Sequence, residues 1–326
     1  MISRRTTQMI LNLIPVKRAL FLSLSLWLGS ITLHPYVSKA AVRAVGSTPD
    51  IAWLMKEVGG AEIEVQSLLK GTEDPHYADA VPDFIRKVAH ADIVCAVGLE
   101  LEVGWLPRVL SRSGNSKIQS GGLGFCEVGV GVKTLERPTG NIDRSMGDVH
   151  PLGNPHFWLS PVSMKEAAVV VADKLSKIDP AHSQHYQANL RKLHSHLDQL
   201  VHDSKRVLAP ILKKNPASKV LEYHREFTYL FQLYGIPTIG SIEEKPGVPP
   251  SAGRLLQVAR QAQSSDVKLI IGTDFTPLKP LEKVSEVSGI PIWTTPISLQ
   301  PSKGIVDYLN FHRTLVKGLA DRLASN

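Results

Sequence analysis

The chain is poor in cysteine, poor in unbalanced charge and without a compact metal or catalytic signature. Two cysteines in 326 residues, Cys95 and Cys126, are too few for a disulfide scaffold. In an oxidising compartment they could form one bridge; as buried thiols they would equally suit the apolar stretches they occupy. The sequence leaves that open. Neither HExxH nor CxxC occurs, so no single short motif announces a metal site. The apolar run from Ala19 to about Leu33 falls short of the roughly 20 residues that span a bilayer. Arg4, Arg5, Lys17 and Arg18 precede it, and Ser38 and Ala40 stand at the −3 and −1 positions of a cleavage site. Residues 1–40 therefore read as a secretory signal cut near Ala40, with the general or twin-arginine route undecided. No cysteine follows the run, which argues against a lipid-anchored mature end.

The excess of positive charge is also missing once the leader is set aside. The formal net charge is +7, but residues 1–40 hold five basic and no acidic residues, leaving 32 basic against 30 acidic. Such a balance gives no reason to expect nucleic-acid binding. The remaining length is enough for two modest lobes, each with its own core.

What is present is a repeated pattern. "AVRAVGSTPDIAWLMKEVGGAEIEVQSLL" and "SKVLEYHREFTYLFQLYGIPTIGSIEE" both read strand, helix, strand. "FIRKVAHADIVCAVGLELEVGWLPRVL" and "LLQVARQAQSSDVKLIIGTDFTPLKPLEKV" both read helix, strand, helix. The periodicities predict an α/β protein of two similar lobes, with mostly parallel sheets flanked by helices. The lobes span 41–178 and 216–326. Between them, residues 179–215 carry Leu190, Leu193, Leu197, Leu200, Val201 and Leu208 at helical spacing. One backbone helix of about 30 residues is expected there, joining the lobes and limiting their relative motion.

Ligands of open parallel sheets lie beyond the carboxyl ends of the strands. His76, His156 and His224 all fall on such loops, two from the first lobe and one from the second. Imidazole suits zinc and its first-row neighbours, and three with one further donor make a four-coordinate site. His156 sits in "GNPHFWLSP", read as a stiffened loop. Pro155 and Pro161 limit its backbone, and Phe157 and Trp158 anchor it by burial. His194, Asp198 and His202 share a helical face, which reads as a solvated polar surface.

"DPHYADAVPDFIRKVAHADIVCAVGLELE", "GNPHFWLSP", "LEYHREFTYLFQLYGI" and "PPSAGRLLQVARQAQ" together resemble the substrate-binding proteins of zinc and manganese ABC importers. The likeness runs over nearly all of the mature chain. It implies a periplasmic, monomeric, non-enzymatic protein that passes a divalent metal to a membrane permease. It also implies His76, His156 and His224 as ligands, and the three-histidine set favours Zn2+ over Mn2+. Relatives often carry extra capturing histidines, which gives His150 an accessory role. Several supply a fourth, aspartate ligand from a C-terminal loop. Here "TTPISLQPSKGIVDYL" has no acidic residue before Asp307. Asp274 and Glu100, at corresponding strand ends, are the candidates for a fourth ligand or for an outer partner of a ligand histidine.

Two other functions share these features. A secreted zinc hydrolase also keeps three protein ligands and an open position, but needs a base beside the metal-bound water; Glu73 and Asp74 are near His76 only in sequence. A two-lobe binder of an organic solute would leave the histidines incidental. Metal binding through neutral imidazoles is expected to weaken as pH falls through about 6.5.

Overall fold

The computed structural model describes residues 41–140, 142 and 146–325. The leader and its cleavage site lie outside the described residues. Strands β1 (Val42–Gly46), β2 (Ile63–Ser67), β3 (Ile93–Ala96) and β4 (Phe125–Glu127) form one sheet in the order β2-β1-β3-β4. Strands β5 (Lys219–Glu222), β6 (Thr238–Ser241), β7 (Val267–Thr273) and β8 (Ile292–Thr295) form a second in the order β6-β5-β7-β8. All six pairings are parallel. The two sheets are wired identically, as the repeat predicts. Every residue of β3 is buried, the continuous apolar run that a strand covered on both faces requires.

The first crossover shows why the elements start and stop where they do. Helix α1 (Pro49–Gly59) begins at Thr48, whose hydroxyl accepts from the Ile51 amide at 3.3 Å, with Pro49 in the first turn. Capping satisfies an otherwise orphaned amide, and proline there loses nothing. Gly60, at φ 60°, ends the helix, a conformation open to glycine without strain. Helices α2 (Pro82–Ala89) and α3 (Leu106–Arg112) flank β3.

Helix α4 (Pro161–Ile178) starts at Ser160, which caps the Ser163 amide. Pro161 is thus the opening residue of a helix rather than a stiffener of the preceding loop. Helix α5 (Ser183–Lys214) has 32 residues, about 48 Å long at 1.5 Å per residue. Its buried face is Tyr186, Leu190, Leu193, Leu197, Leu200, Ser204 and Leu208, the predicted leucines with Tyr186 and Ser204 added, while Val201 stays half-buried at the edge of the stripe. Pro210 stands within its last turns. His194 and Asp198 are tied to α4: the ring Nε2–H donates to the Lys165 carbonyl, and the carboxylate pairs with Lys165 Nζ. They do not converge.

Helix α6 (Thr228–Tyr234) follows β5. Helices α7 (Ala252–Ser264) and α8 (Leu278–Ser288) flank β7, and α9 (Tyr308–Ser325) packs back on α5. The segment after β8 returns to the first lobe. Ser298 donates to the buried Asp50 carboxylate, Leu299 N to its other oxygen, and Gln300 Nε2 to Gly71 O at 2.9 Å. Burial pushes the Asp50 carboxyl up to about 7, against the lowering effect of these bonds. The loop that offers no acidic ligand is instead a clasp between lobes.

Cys95 and Cys126 face each other on β3 and β4 and are bridged, with Cα atoms 4.6 Å apart. The loop closed by the bridge, 31 residues in sequence separation, corresponds to about 3–4 kcal/mol of unfolded-state restriction. Reduction, or Cys126→Ala with Cys95→Ala, is expected to lower the melting temperature by roughly 5–10 °C for a chain of this size. Differential scanning calorimetry checks this; an unchanged midpoint contradicts it.

Candidate metal centre

Two of the three histidines are held by the same device. Asp74-Pro75-His76 follows β2, and Asn154-Pro155-His156 precedes α4. In the first, Asp74 Oδ1 accepts from the His76 amide at 2.9 Å and bonds its ring Nδ1 at 2.7 Å. In the second, Asn154 Oδ1 accepts from the His156 amide at 2.9 Å and bonds Nδ1 at 3.0 Å. The side chain thereby replaces a backbone turn and fixes the ring at once, while the intervening proline holds φ. Fixing Nδ1–H leaves Nε2 as the lone pair free for a ligand bond.

Each loop is then anchored. Trp105 Nε1 donates to Pro75 O at 2.9 Å, and Trp158 Nε1 to Ile297 O at 2.6 Å. Phe157 and Trp158 are buried, the expected anchoring by burial. Asn154 does more. Its amide donates to Arg225 O at 2.7 Å and to Glu136 Oε2 at 2.9 Å. One side chain therefore sets the His156 ring and also holds the backbone beside His224 in the other lobe. Asn154→Ala is expected to lower zinc affinity 10- to 100-fold without removing a ligand, the range typical of outer partners. A chelator-competition titration against the parent reads it, and parental affinity would contradict it.

His224 ends the turn after β5. Its Nδ1 meets Glu243 Oε2 at 2.8 Å, and the same oxygen accepts from Gly247 N at 3.0 Å. The structure brings His76, His156 and His224 together, with one ring nitrogen from each lying within 4.8 Å of the others. They line a cavity of about 190 Å³ with Asp74, Tyr77, Asp148, Tyr223, Glu226 and Glu243 among its walls. Pockets for organic ligands run to roughly 300–1,000 Å³. This one suits an ion.

The charges follow from the packing. Burial holds His156 well below the usual histidine range, and neighbouring histidines add to the effect. His150 is pushed down to about 3 for the same reasons. His224 goes the other way. Burial lowers it, but Glu226, Glu243 and Asp74 outweigh burial and raise it to about 9. Glu226 is itself buried, and its Oε2 has no hydrogen-bond partner among the described residues. Burial raises its carboxyl to about 6, against the lowering effect of His224. An unpaired carboxylate oxygen in the cavity wall is costly unless a cation faces it.

The fourth-ligand candidates are placed elsewhere. Asp274 accepts from Gln300 Nε2 at 2.7 Å and pairs with Lys303 Nζ at 3.2 Å; it is not part of the cavity wall. Glu100 has a left-handed backbone, φ 67°, and lines a neighbouring cavity of about 430 Å³. Neither holds a ligand histidine's Nδ1; Asp74, Asn154 and Glu243 do that. The recurrence of Asx-Pro-His at 74–76 and 154–156 was the available sign for two of these partners. For Glu243 and Glu226 no local pattern exists, because the first acts across 19 residues and the second through burial.

The family model of the periplasmic component A of the zinc-uptake complex, ZnuA, matches residues 45–322. The chain belongs to this family. It is a metal-binding substrate-binding protein of the ABC-transporter type, in a family of transport proteins rather than enzymes. The manganese ABC transporter substrate-binding lipoprotein PsaA of Streptococcus mitis is 27% identical over 295 residues, covering 87% of this chain and 89% of the relative. The iron ABC transporter substrate-binding lipoprotein MtsA of Streptococcus pyogenes serotype M1 is 24% identical over 259 residues, 78% of each. A crystal structure of ZnuA superposes with a TM-score of 0.70 at 23% identity, covering 86% of this chain and 98% of the other. The periplasmic zinc-binding protein TroA of Treponema pallidum gives 0.71 at 17%, covering 87% and 99%; at such identity the likeness is one of fold. The hydrolase reading loses its base as well as its family. Glu73 accepts from the Lys70 and Thr72 amides, and Asp74 is committed to His76.

Proposed function

We propose that this ZnuA-family member captures Zn2+ through His76, His156 and His224 and delivers it to the membrane permease of an ABC importer. The observation that carries the reading is the donor set: ring nitrogens of three histidines within 4.8 Å, with no carboxylate in that mutually close group. Imidazole favours zinc and its late first-row neighbours, whereas manganese and magnesium favour oxygen. Manganese is the second reading. It is favoured by the unpaired Glu226 oxygen in the wall and by the name of the PsaA relative.

The same proposal covers the setting. The chain is exported and cleaved near Ala40, works in the periplasm as a monomer, and binds no nucleic acid. Its lobes are 41–178 and 216–326, linked by 179–215, a division supported by helix Ser183–Lys214 between two sheets of equal wiring. Metal analysis of protein purified gently from its native compartment tests the ion. Stoichiometric zinc is expected; stoichiometric manganese or iron would reverse the assignment.

A further inference from the structure

Glu136 connects residues that neighbour two different ligands. It lies on the strap that follows β4 in the first lobe, and its carboxylate reaches the second. Its Oε1 accepts from Arg225 Nη1, and its Oε2 accepts from Thr228 Oγ1 at 3.1 Å. The same Oε2 accepts from Asn154 Nδ2 at 2.9 Å. Arg225 directly follows His224, Thr228 opens α6, and Asn154 holds the His156 ring. One side chain therefore touches the flank of one ligand and the orienting partner of another.

The backbone around Glu136 is shaped to put it there. Glu136 adopts left-handed backbone, at φ 52°, which a non-glycine residue keeps only where its surroundings enforce it. Here a closed ring of bonds does so. The Tyr229 hydroxyl of α6 accepts from Leu135 N at 3.1 Å and donates to Asn154 O at 2.7 Å. Asn154 N donates back to Leu135 O at 2.8 Å. At Gly153, φ 109°, a Cβ would stand 2.7 Å from Thr134 Cβ and 2.8 Å from Leu135 O, so only glycine lets the strap come this close. Strap, His156 loop and α6 are fastened as one unit.

Resting on the reading of His76, His156 and His224 as a zinc site, we infer that Glu136 is a positioning residue that makes the ligands of the two lobes act as one set. With Asn154 and Arg225 both held, His156 and His224 keep their separation before the ion arrives. Such preorganisation adds affinity by cutting the ordering cost of binding. Without Glu136 the same three imidazoles remain, but the His224 turn is held against the first lobe by less, and the ion leaves more easily. An exposed ion pair contributes little to folding stability. The cost of losing Glu136 therefore falls on metal binding.

Chelator competition for affinity, with stopped-flow release of zinc into excess chelator, tests this in Glu136→Ala, Asn154→Ala and the double variant. Glu136→Ala is expected to bind zinc roughly tenfold more weakly, the lower end for an outer partner. The loss should lie in faster release, with capture near the parent's rate. In the Asn154→Ala background the same substitution should cost at most about twofold, because both side chains act through one network. Cobalt bound by each variant should keep the parent's absorption spectrum, since no ligand changes. Parental affinity in Glu136→Ala, or an undiminished loss on top of Asn154→Ala, would overturn the inference while leaving the zinc site intact. Arg225→Gln opens the same pair from the second lobe and should speed release in the same sense, which decides the matter if Glu136→Ala folds poorly. A parent that binds neither zinc nor cobalt refutes the three-histidine site, and this inference with it.

Discussion

His156→Ala is expected to abolish tight zinc binding, with a loss of roughly a thousandfold or more, well beyond the 10- to 100-fold of outer partners. His156 is the most deeply set of the three, 1% exposed, and burial keeps its ring neutral. Its ring orientation is fixed by Asn154, so the free Nε2 is already aimed and pays little ordering cost on binding. Removing it takes a nitrogen from a set of three and leaves the Asn154 oxygen without the ring it orients. His76→Ala and His224→Ala should show losses of the same order. His194→Ala is the control: its Nε2 meets the Lys165 backbone at 3.1 Å, on a helix face that contributes nothing to the cavity. Chelator competition measures all four variants. Parental affinity in His224→Ala would mean that the second lobe does not take part.

Zinc affinity is expected to keep rising well past pH 6.5, where a site of ordinary histidines would level off. His224 is raised to about 9, burial being outweighed by Glu226, Glu243 and Asp74. Below that value its ring is protonated in the metal-free protein, and zinc must displace the proton. Affinity should therefore climb about tenfold per pH unit, on the order of a hundredfold between pH 7 and 9. The stability of the metal-free fold moves in the opposite sense. A raised histidine contributes stability that is complete below its unfolded value of about 6.5 and is lost as pH rises through 9. Calorimetry at pH 7.5 in buffers of different ionisation enthalpy should find one proton released per zinc. No proton release would contradict the assignment. Glu243→Gln removes one of the raising carboxylates and should move the rise to lower pH.

The sequence carries the fold because its signals are local. Gly60 and Gly235 close the first helix of each half at positive φ, and the strand–helix alternation repeats with the same wiring. The leucine stripe of α5 is visible at three- and four-residue spacing and recurs as its buried face. The convergence of His76, His156 and His224 was legible for a related reason: each follows a strand end or opens a helix, the side of an open sheet where ligands bind. The partners of those rings were less so. Asp74 and Asn154 lie two residues from their histidines, and the paired Asx-Pro-His tripeptides encode them. Glu243, the Asp50–Ser298 clasp and the approach of His150 to His76 join residues 19, 248 and 74 apart. Only chain folding creates those contacts. Asp274 and Glu100 were suggested by the symmetry of the two strand ends, but symmetry of wiring does not fix side-chain direction. Gln300 and Lys303 engage Asp274. At the matching end of β3 the buried acid is Glu102, which accepts from Ser47, Val97 and Gly98.

The central claim is that one inter-lobe site of converging imidazoles binds zinc in preference to manganese. Calorimetric titration of the mature chain with zinc at pH 7.5, repeated in the presence of a large excess of manganese, tests it most directly. The account predicts one saturable tight site per chain, with its stoichiometry unchanged and its affinity little reduced by manganese. Absence of a saturable site, or displacement of zinc by manganese at comparable concentration, would contradict it.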